Sequence, residues 1–280
     1  MVAIAEQYTG VELKDEARHY GVFDQGAHAW AWEPAGERRV LWLSGESLFE
    51  AGKPVRGGVP ICFPWFGPGR PGDLQPAHGF ARLAAWRRED ESSADGTLRV
   101  TYSLDESVTG EQPNWPPSYR AEFTVIFGAR ELVLEFTVTN TGEEKFSYEE
   151  ALHTYLAVGN VREVSVEGLD GARYWDKVSD EWLDQDGPVT ITDETDRVYL
   201  SEAEVVLHDP VLERTLTVAK EGSANTVVWN PWIDKAEAMP DFGDDEWPGM
   251  ICIEAANAQD NAITLKAGAS HTLTQRISLG

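Results

Sequence analysis

Apolar and polar residues alternate with a period of two along much of the chain. Leu98, Val100, Tyr102 and Leu104 share one side of an extended run with Arg99, Thr101 and Ser103 on the other, and Leu132, Leu134, Phe136 and Val138 repeat the arrangement. Successive side chains of a strand point to opposite faces, so such runs predict strands with one face in a core and one in solvent. Runs of the same kind occupy 121–127, 204–207, 215–218 and 273–279, with turn-forming Asn140-Thr141-Gly142 and Glu221-Gly222 as punctuation. No window of a dozen residues keeps apolar positions at helical spacing without a Gly or Pro, so helices are expected only as short connectors. The pattern predicts an all-β chain, a long antiparallel meander forming one domain over residues 1–280.

Composition narrows the partners. Forty-eight acidic residues against 23 basic ones leave a formal charge of −25, a field that repels nucleic acid and anionic membrane faces, so neither is expected as a partner. Only seven of the basic residues are Lys, a surface suited to solubility in high salt and to ordinary colloidal solubility alike. Eleven Trp, ten Phe and eight Tyr suit sheet cores and also stacking on sugar rings. The two cysteines, Cys62 and Cys252, lie in apolar runs and read as small buried thiols, in keeping with a reducing cytoplasm. The first residues show no basic segment followed by an apolar stretch, and no run of about 18 apolar residues could span a bilayer. A cytoplasmic location is expected, and a monomer is compatible with everything in the chain.

Candidate chemistry sits where the alternation breaks. The segment RGGVPICFPWFGPG (56–69) packs four Gly and three Pro around Phe63, Trp65 and Phe66. It reads as a sheet corner or as a place where Gly57 and Gly58 let a ligand or a strand approach closely. Arg56 at its edge and Arg82 in HGFAR (78–82), which also carries His78, offer planar forks for phosphate or carboxylate in an otherwise acidic chain; pairing with surface carboxylates is the alternative for each. His153 lies in FSYEEALHTYLAV, where it is either a backbone-satisfied core residue or an acid whose pKa a nearby carboxylate holds up. Glu254 in MICIEAA must be desolvated for a purpose or paired, and burial would raise its pKa as a general base requires. YWDK supplies Asp176 and Lys177, and VVWNPW supplies Trp229, Asn230 and Trp232, groups that bracket a sugar or belong to the core. No His-x-His or His-Glu-x-x-His spacing occurs and the acidic stretch 241–246 lacks the EF-hand order, so no metal is expected; it and 184–186 read as solvated loops.

Taken together, LWLS, RGGVPICFPWFGP, HGFAR, LHTY, YWDK and the block WNPWIDKAEAMPDFGDDEWPGMICIEAAN resemble the hexose-6-phosphate mutarotases, the glucose-6-phosphate 1-epimerase branch of the aldose 1-epimerase family. They occur in family order across nearly the whole chain. The resemblance implies an antiparallel β-supersandwich of the galactose mutarotase-like type with its active site in an open groove on one sheet. It implies an isomerase that interconverts the anomers of a hexose 6-phosphate without cofactor or metal. His153 falls on the family's acid and Glu254 on its base, His78 and Asp176 on sugar-contacting positions, and Arg56 and Arg82 on arginines near the substrate phosphate.

Two other classes compete with this expectation. A glycoside hydrolase would use a pair of carboxylates, with Glu150 and Glu254 as candidates. A non-catalytic carbohydrate-binding module would use exposed Trp platforms and would tolerate loss of Glu254.

Overall fold

Alternation becomes strand nearly residue for residue. In a computed structural model, which describes residues 8–280, Thr97–Asp105, Tyr119–Phe127 and Glu131–Asn140 are strands, with Leu98, Val100, Phe123, Leu134 and Phe136 in the core. The first seven residues, on which part of the reading of a leaderless start rests, lie outside the described residues. Two α-helices, Glu106–Thr109 and Trp232–Ala238, are the short connectors expected. Among the described residues, no helix is long and apolar enough to cross a membrane.

Two eight-stranded antiparallel sheets carry the fold. The meander expected for the whole chain is found in two stretches: Arg87–Ala94, Thr97–Asp105, Tyr119–Phe127 and Glu131–Asn140 follow one another in the second sheet, and Gly10–Lys14, His19–Phe23 and His28–Glu33 form a separate three-stranded one. The first sheet is assembled from distant segments. Its central strand, Met250–Asn257, pairs with Asn225–Asn230 on one side and with both Glu150–Leu152 and Tyr155–Ala157 on the other. Flanked by strands and covered on both faces, that strand is buried at all eight positions, which is why its sequence is a continuous apolar run instead of an alternating one. One hydrophobic cluster includes Val11, near the start of the described residues, and Leu279, near the end. From that continuity we infer one cooperative domain.

A buried carboxamide ties the two sheets together behind the central strand. Gln275, on Ser270–Leu279 of the second sheet, donates from Nε2 to Ile253 O at 2.9 Å and accepts from Thr154 Oγ1 at 2.5 Å. Thr154 follows His153 and Ile253 precedes Glu254, so this bridge holds the backbone at both. Thr154→Val, which keeps the shape and orphans the Gln275 oxygen, is expected to lower stability by about 1–3 kcal/mol. A denaturant midpoint unchanged from wild type would contradict that.

Candidate active site

Which side chains share a face follows from strand register, because directly opposed residues point to the same side of a sheet. Tyr155 opposes Cys252, Cys252 opposes Trp229, and Trp229 opposes Asp196. Glu254 lies two residues from Cys252 and opposes Val227, so it joins the same face. Ile253, Val228, Arg197 and Asp176 form a row on the other face.

His153 completes the first face. It follows Glu150–Leu152, its backbone N–H donates to Pro60 O at 3.0 Å, and its Nδ1 stands 3.4 Å from Glu254 Oε1. The imidazole stacks on Tyr155 with 4.9 Å between ring centroids and meets Trp229 and His78 edge-on at 5.9 and 5.6 Å. Three aromatic neighbours fix its orientation. Two atoms of the pair, His153 Nδ1 and Glu254 Oε2, are buried without a hydrogen-bond partner, a costly arrangement that a bound polar ligand would relieve.

Burial pushes the Glu254 carboxyl well above its ordinary value; Asp196 adds to the rise, and Lys177 and Arg82 oppose it. Burial also pushes His153 well below its ordinary value, helped by the positive charges of Arg82 and Arg56. The carboxylate expected to hold His153 near neutrality is present, but desolvation and the surrounding cations prevail. Both shifts favour the uncharged forms of the two groups.

His78 is placed by backbone strain that only its neighbour's lack of a side chain permits. Its φ is +64° and that of Gly79 is +75°, and a Cβ on Gly79 would stand 1.9 Å from Phe63 O. His78 Nδ1 accepts from the Gly67 N–H at 3.2 Å and lies 3.2 Å from Cys62 Sγ. Burial keeps the imidazole neutral and the Cys62 thiol protonated. With Nδ1 an acceptor, the ring proton belongs on Nε2, which is thereby a donor.

The two arginines differ in kind. Arg56 donates from Nη2 to both oxygens of Asp241 at 3.1 and 3.2 Å and from Nη1 to the Tyr155 hydroxyl at 3.0 Å. Asp241 is therefore a buried ion-pair partner, and Glu246 caps Ser44, Gly45 and Gly243; of the acidic residues in 241–246 only Asp244 and Asp245 are exposed as a solvated loop would have them. Arg82 donates from Nη2 to Ala77 O at 2.8 Å, its Nε is buried and unpartnered, and among the described residues no carboxylate pairs with it. Burial lowers its pKa.

The structure does not bring Asp176 to this face. Its Oδ1 accepts from the backbone N–H groups of Val178 and Ser179, closing the turn after Arg173–Asp176, and its Oδ2 lies 3.6 Å from Arg197 Nε on the far face. The groove carboxylate is Asp196, which accepts from Lys177 Nζ at 2.8 Å. Glu150 is likewise turned away: it opposes Asn257, accepts from its Nδ2 at 2.8 Å, and pairs with His271. Asn230 is wholly buried and donates to Trp247 O and Met250 O, a scaffold role. The close approach that Gly57 permits is to backbone, since a Cβ there would stand 2.5 Å from Leu43 Cα. Sequence patterning left Asp196 and Tyr155 unmarked and placed Asp241 in a solvated loop; the alternation of YWDK separates Asp176 from Lys177 but cannot say which of them faces the groove.

Beside this face lies a cavity of about 370 Å³ lined by Phe66, Gly67, Arg70, Trp175 and Lys177 among others, within the range of small-molecule sites. Phe66 meets His78 edge-on at 5.0 Å and lies 5.4 Å beneath Lys177 Nζ, so cavity and proton-carrying pair adjoin. A larger, shallower depression of about 620 Å³ around Glu163, His208 and Arg214 shares no residue with it.

Comparison with known proteins adds a family. The model of a family described as Aldose 1-epimerase matches residues 10–278. A protein of Escherichia coli (strain K12) named "Putative glucose-6-phosphate 1-epimerase" is 40% identical over 252 residues, 88% of this chain and 82% of that one. A protein of the same name from Cenchrus ciliaris is 35% identical, with 88% and 77% covered. Among solved structures, a "putative mutarotase (YeaD)" from Salmonella typhimurium superposes with a TM-score of 0.88 at 32% identity, covering 99% of this chain and 92% of that one. A galactose mutarotase-like protein from Lactobacillus casei, at 18% identity and a TM-score of 0.71, covers 97% of this chain and all of its own, a likeness of fold alone.

Proposed function

The chain belongs to the aldose 1-epimerase family, and on that premise we propose that it interconverts the α and β anomers of a hexose 6-phosphate, glucose 6-phosphate foremost. The observation that carries this is the contact of His153 Nδ1 with Glu254 Oε1 at 3.4 Å, with each residue keeping a buried, unpartnered polar atom. Such a pair can take a proton at one sugar oxygen and return one at another.

The reaction needs one mobile proton. With that proton on His153, the Glu254 carboxylate removes the hydrogen of the anomeric hydroxyl while His153 protonates the ring oxygen. The bond between anomeric carbon and ring oxygen breaks and the open-chain aldehyde forms. Rotation about the first carbon–carbon bond presents the other carbonyl face, and reclosure with reversed transfers gives the other anomer. The pair ends with the proton count it began with. Neutral His78 donates from Nε2 to a sugar oxygen, Trp229 offers a flat face, and Arg82 receives the phosphate. A hydrolase fits poorly, because Glu150 and Glu254 lie on opposite faces of one sheet and cannot flank one bond. A binding module would not accelerate anomerisation, which makes turnover the deciding observation. Freshly dissolved α-glucose 6-phosphate should reach anomeric equilibrium faster with the protein than without, and free glucose should gain much less; equal rates with and without protein would refute the proposal.

The pH profile tests the proton count. An unperturbed carboxyl and imidazole, near about 4.3 and 6.5, would hold one proton only between those values, and activity would fall as pH rose through about 6.5. Here the order is reversed: His153 takes its second proton only well below its ordinary value, and Glu254 loses the last one only well above its own. The catalytic efficiency is therefore expected to stay level through pH 6.5, with the acid limb belonging to His153 and the alkaline limb to Glu254. A tenfold loss per unit beginning near 6.5 would contradict this order.

A further inference from the structure

We propose that His153, Cys252 and Glu254 form a zinc-binding site whose occupation switches the enzyme off. One ligand atom from each, an imidazole nitrogen, Cys252 Sγ and a carboxylate oxygen, lie within 4.8 Å of one another. Cys252 and Glu254 are two residues apart on one strand and face the same way, and His153 closes over them from its pairing partner. No step of the proposed reaction uses Cys252.

The donor set selects the ion. Imidazole, thiolate and carboxylate suit a borderline-soft divalent cation, and bonds of about 2.0–2.3 Å put tetrahedral ligand atoms roughly 3.3–3.8 Å apart. With its ligand atoms within 4.8 Å of one another, the cluster needs to contract by up to about 1 Å to meet that geometry. An independent observation points the same way: His153 Nδ1 and Glu254 Oε2 are buried and unpartnered. Charge also balances. Zinc(II) with one thiolate, one carboxylate and one neutral imidazole is a net-neutral assembly, the kind a desolvated pocket tolerates. On binding, the thiol proton and any proton on the carboxyl leave to solvent, and the imidazole loses none. A groove that admits a sugar to this pair admits a hydrated ion, and a bound ion occupies both proton carriers.

The inhibitory consequence rests on the proposed function; the binding does not, and the experiment separates them. Titrating the purified chain with cobalt(II), an optical surrogate for zinc, should develop a thiolate-to-cobalt charge-transfer band that saturates at one equivalent. The band should vanish in Cys252→Ala and Cys252→Ser and survive in Cys62→Ala. In the anomerisation assay, zinc should inhibit wild type reversibly upon chelation, and Cys252→Ala should retain turnover while needing more than about tenfold more zinc for half-inhibition. Absence of the band in wild type, or equal zinc sensitivity in folded Cys252→Ala or Cys252→Ser, would overturn the site. A cobalt–thiolate band in a protein that fails to accelerate anomerisation would leave the site standing and remove the epimerase.

Discussion

Glu254→Gln is expected to lower the catalysed anomerisation rate by roughly a hundredfold or more, the scale of general acid–base catalysis, while leaving the fold intact. The Glu254 side chain is buried and burial favours its uncharged form, so a carboxamide reproduces its shape without a charge but cannot cycle a proton. Stability measured by denaturant should be equal or slightly higher, because an ionisable group has left a desolvated position. His153→Gln should cost a similar factor. The double variant should lose little beyond either single one, since two groups sharing one proton act as a unit. Rates measured by polarimetry, with the spontaneous rate subtracted, decide the matter. Near wild-type turnover in folded Glu254→Gln would move the base elsewhere, with Asp196 on the same face the next carboxylate to test.

The all-β class was legible because alternation is a local property: each of the half-buried strands writes its own two-residue period. What alternation cannot encode is which strand lies beside which. The central strand Met250–Asn257 pairs with segments about 25 and 100 residues away in sequence, and only that register puts Glu254, Cys252, Trp229 and Asp196 on one face. Asp176 shows the consequence. Its motif is legible, yet the face it occupies depends on Arg197 and Val228 across two strand boundaries. Asp241 shows the converse, an acidic residue in a charged run whose partner, Arg56, lies 185 residues away. Glu254 was readable for a physical reason: a carboxylate in a run of eight buried positions has no solvent to face.

Phosphate selectivity is the second large effect, and the two arginines are expected to separate. Arg82 has no carboxylate partner among the described residues, one hydrogen bond to a carbonyl, and a buried unpartnered Nε. A charge-assisted hydrogen bond contributes about 1.5–3 kcal/mol, so Arg82→Ala should lower the catalytic efficiency for glucose 6-phosphate relative to glucose by roughly ten- to a hundredfold. Part of that loss should appear in turnover, because phosphate binding energy holds the ring against the proton-carrying pair. Arg56 is committed to Asp241 and Tyr155. Removing it strands a buried carboxylate, so Arg56→Ala should lower stability by about 3–5 kcal/mol and slow both sugars alike, leaving their ratio near wild type. Efficiencies for both substrates at fixed ionic strength, together with thermal midpoints, distinguish these outcomes. If the ratio is unchanged in Arg82→Ala, the phosphate is read at the other end of the groove, where Arg70 and Lys177 line the cavity beside Trp175.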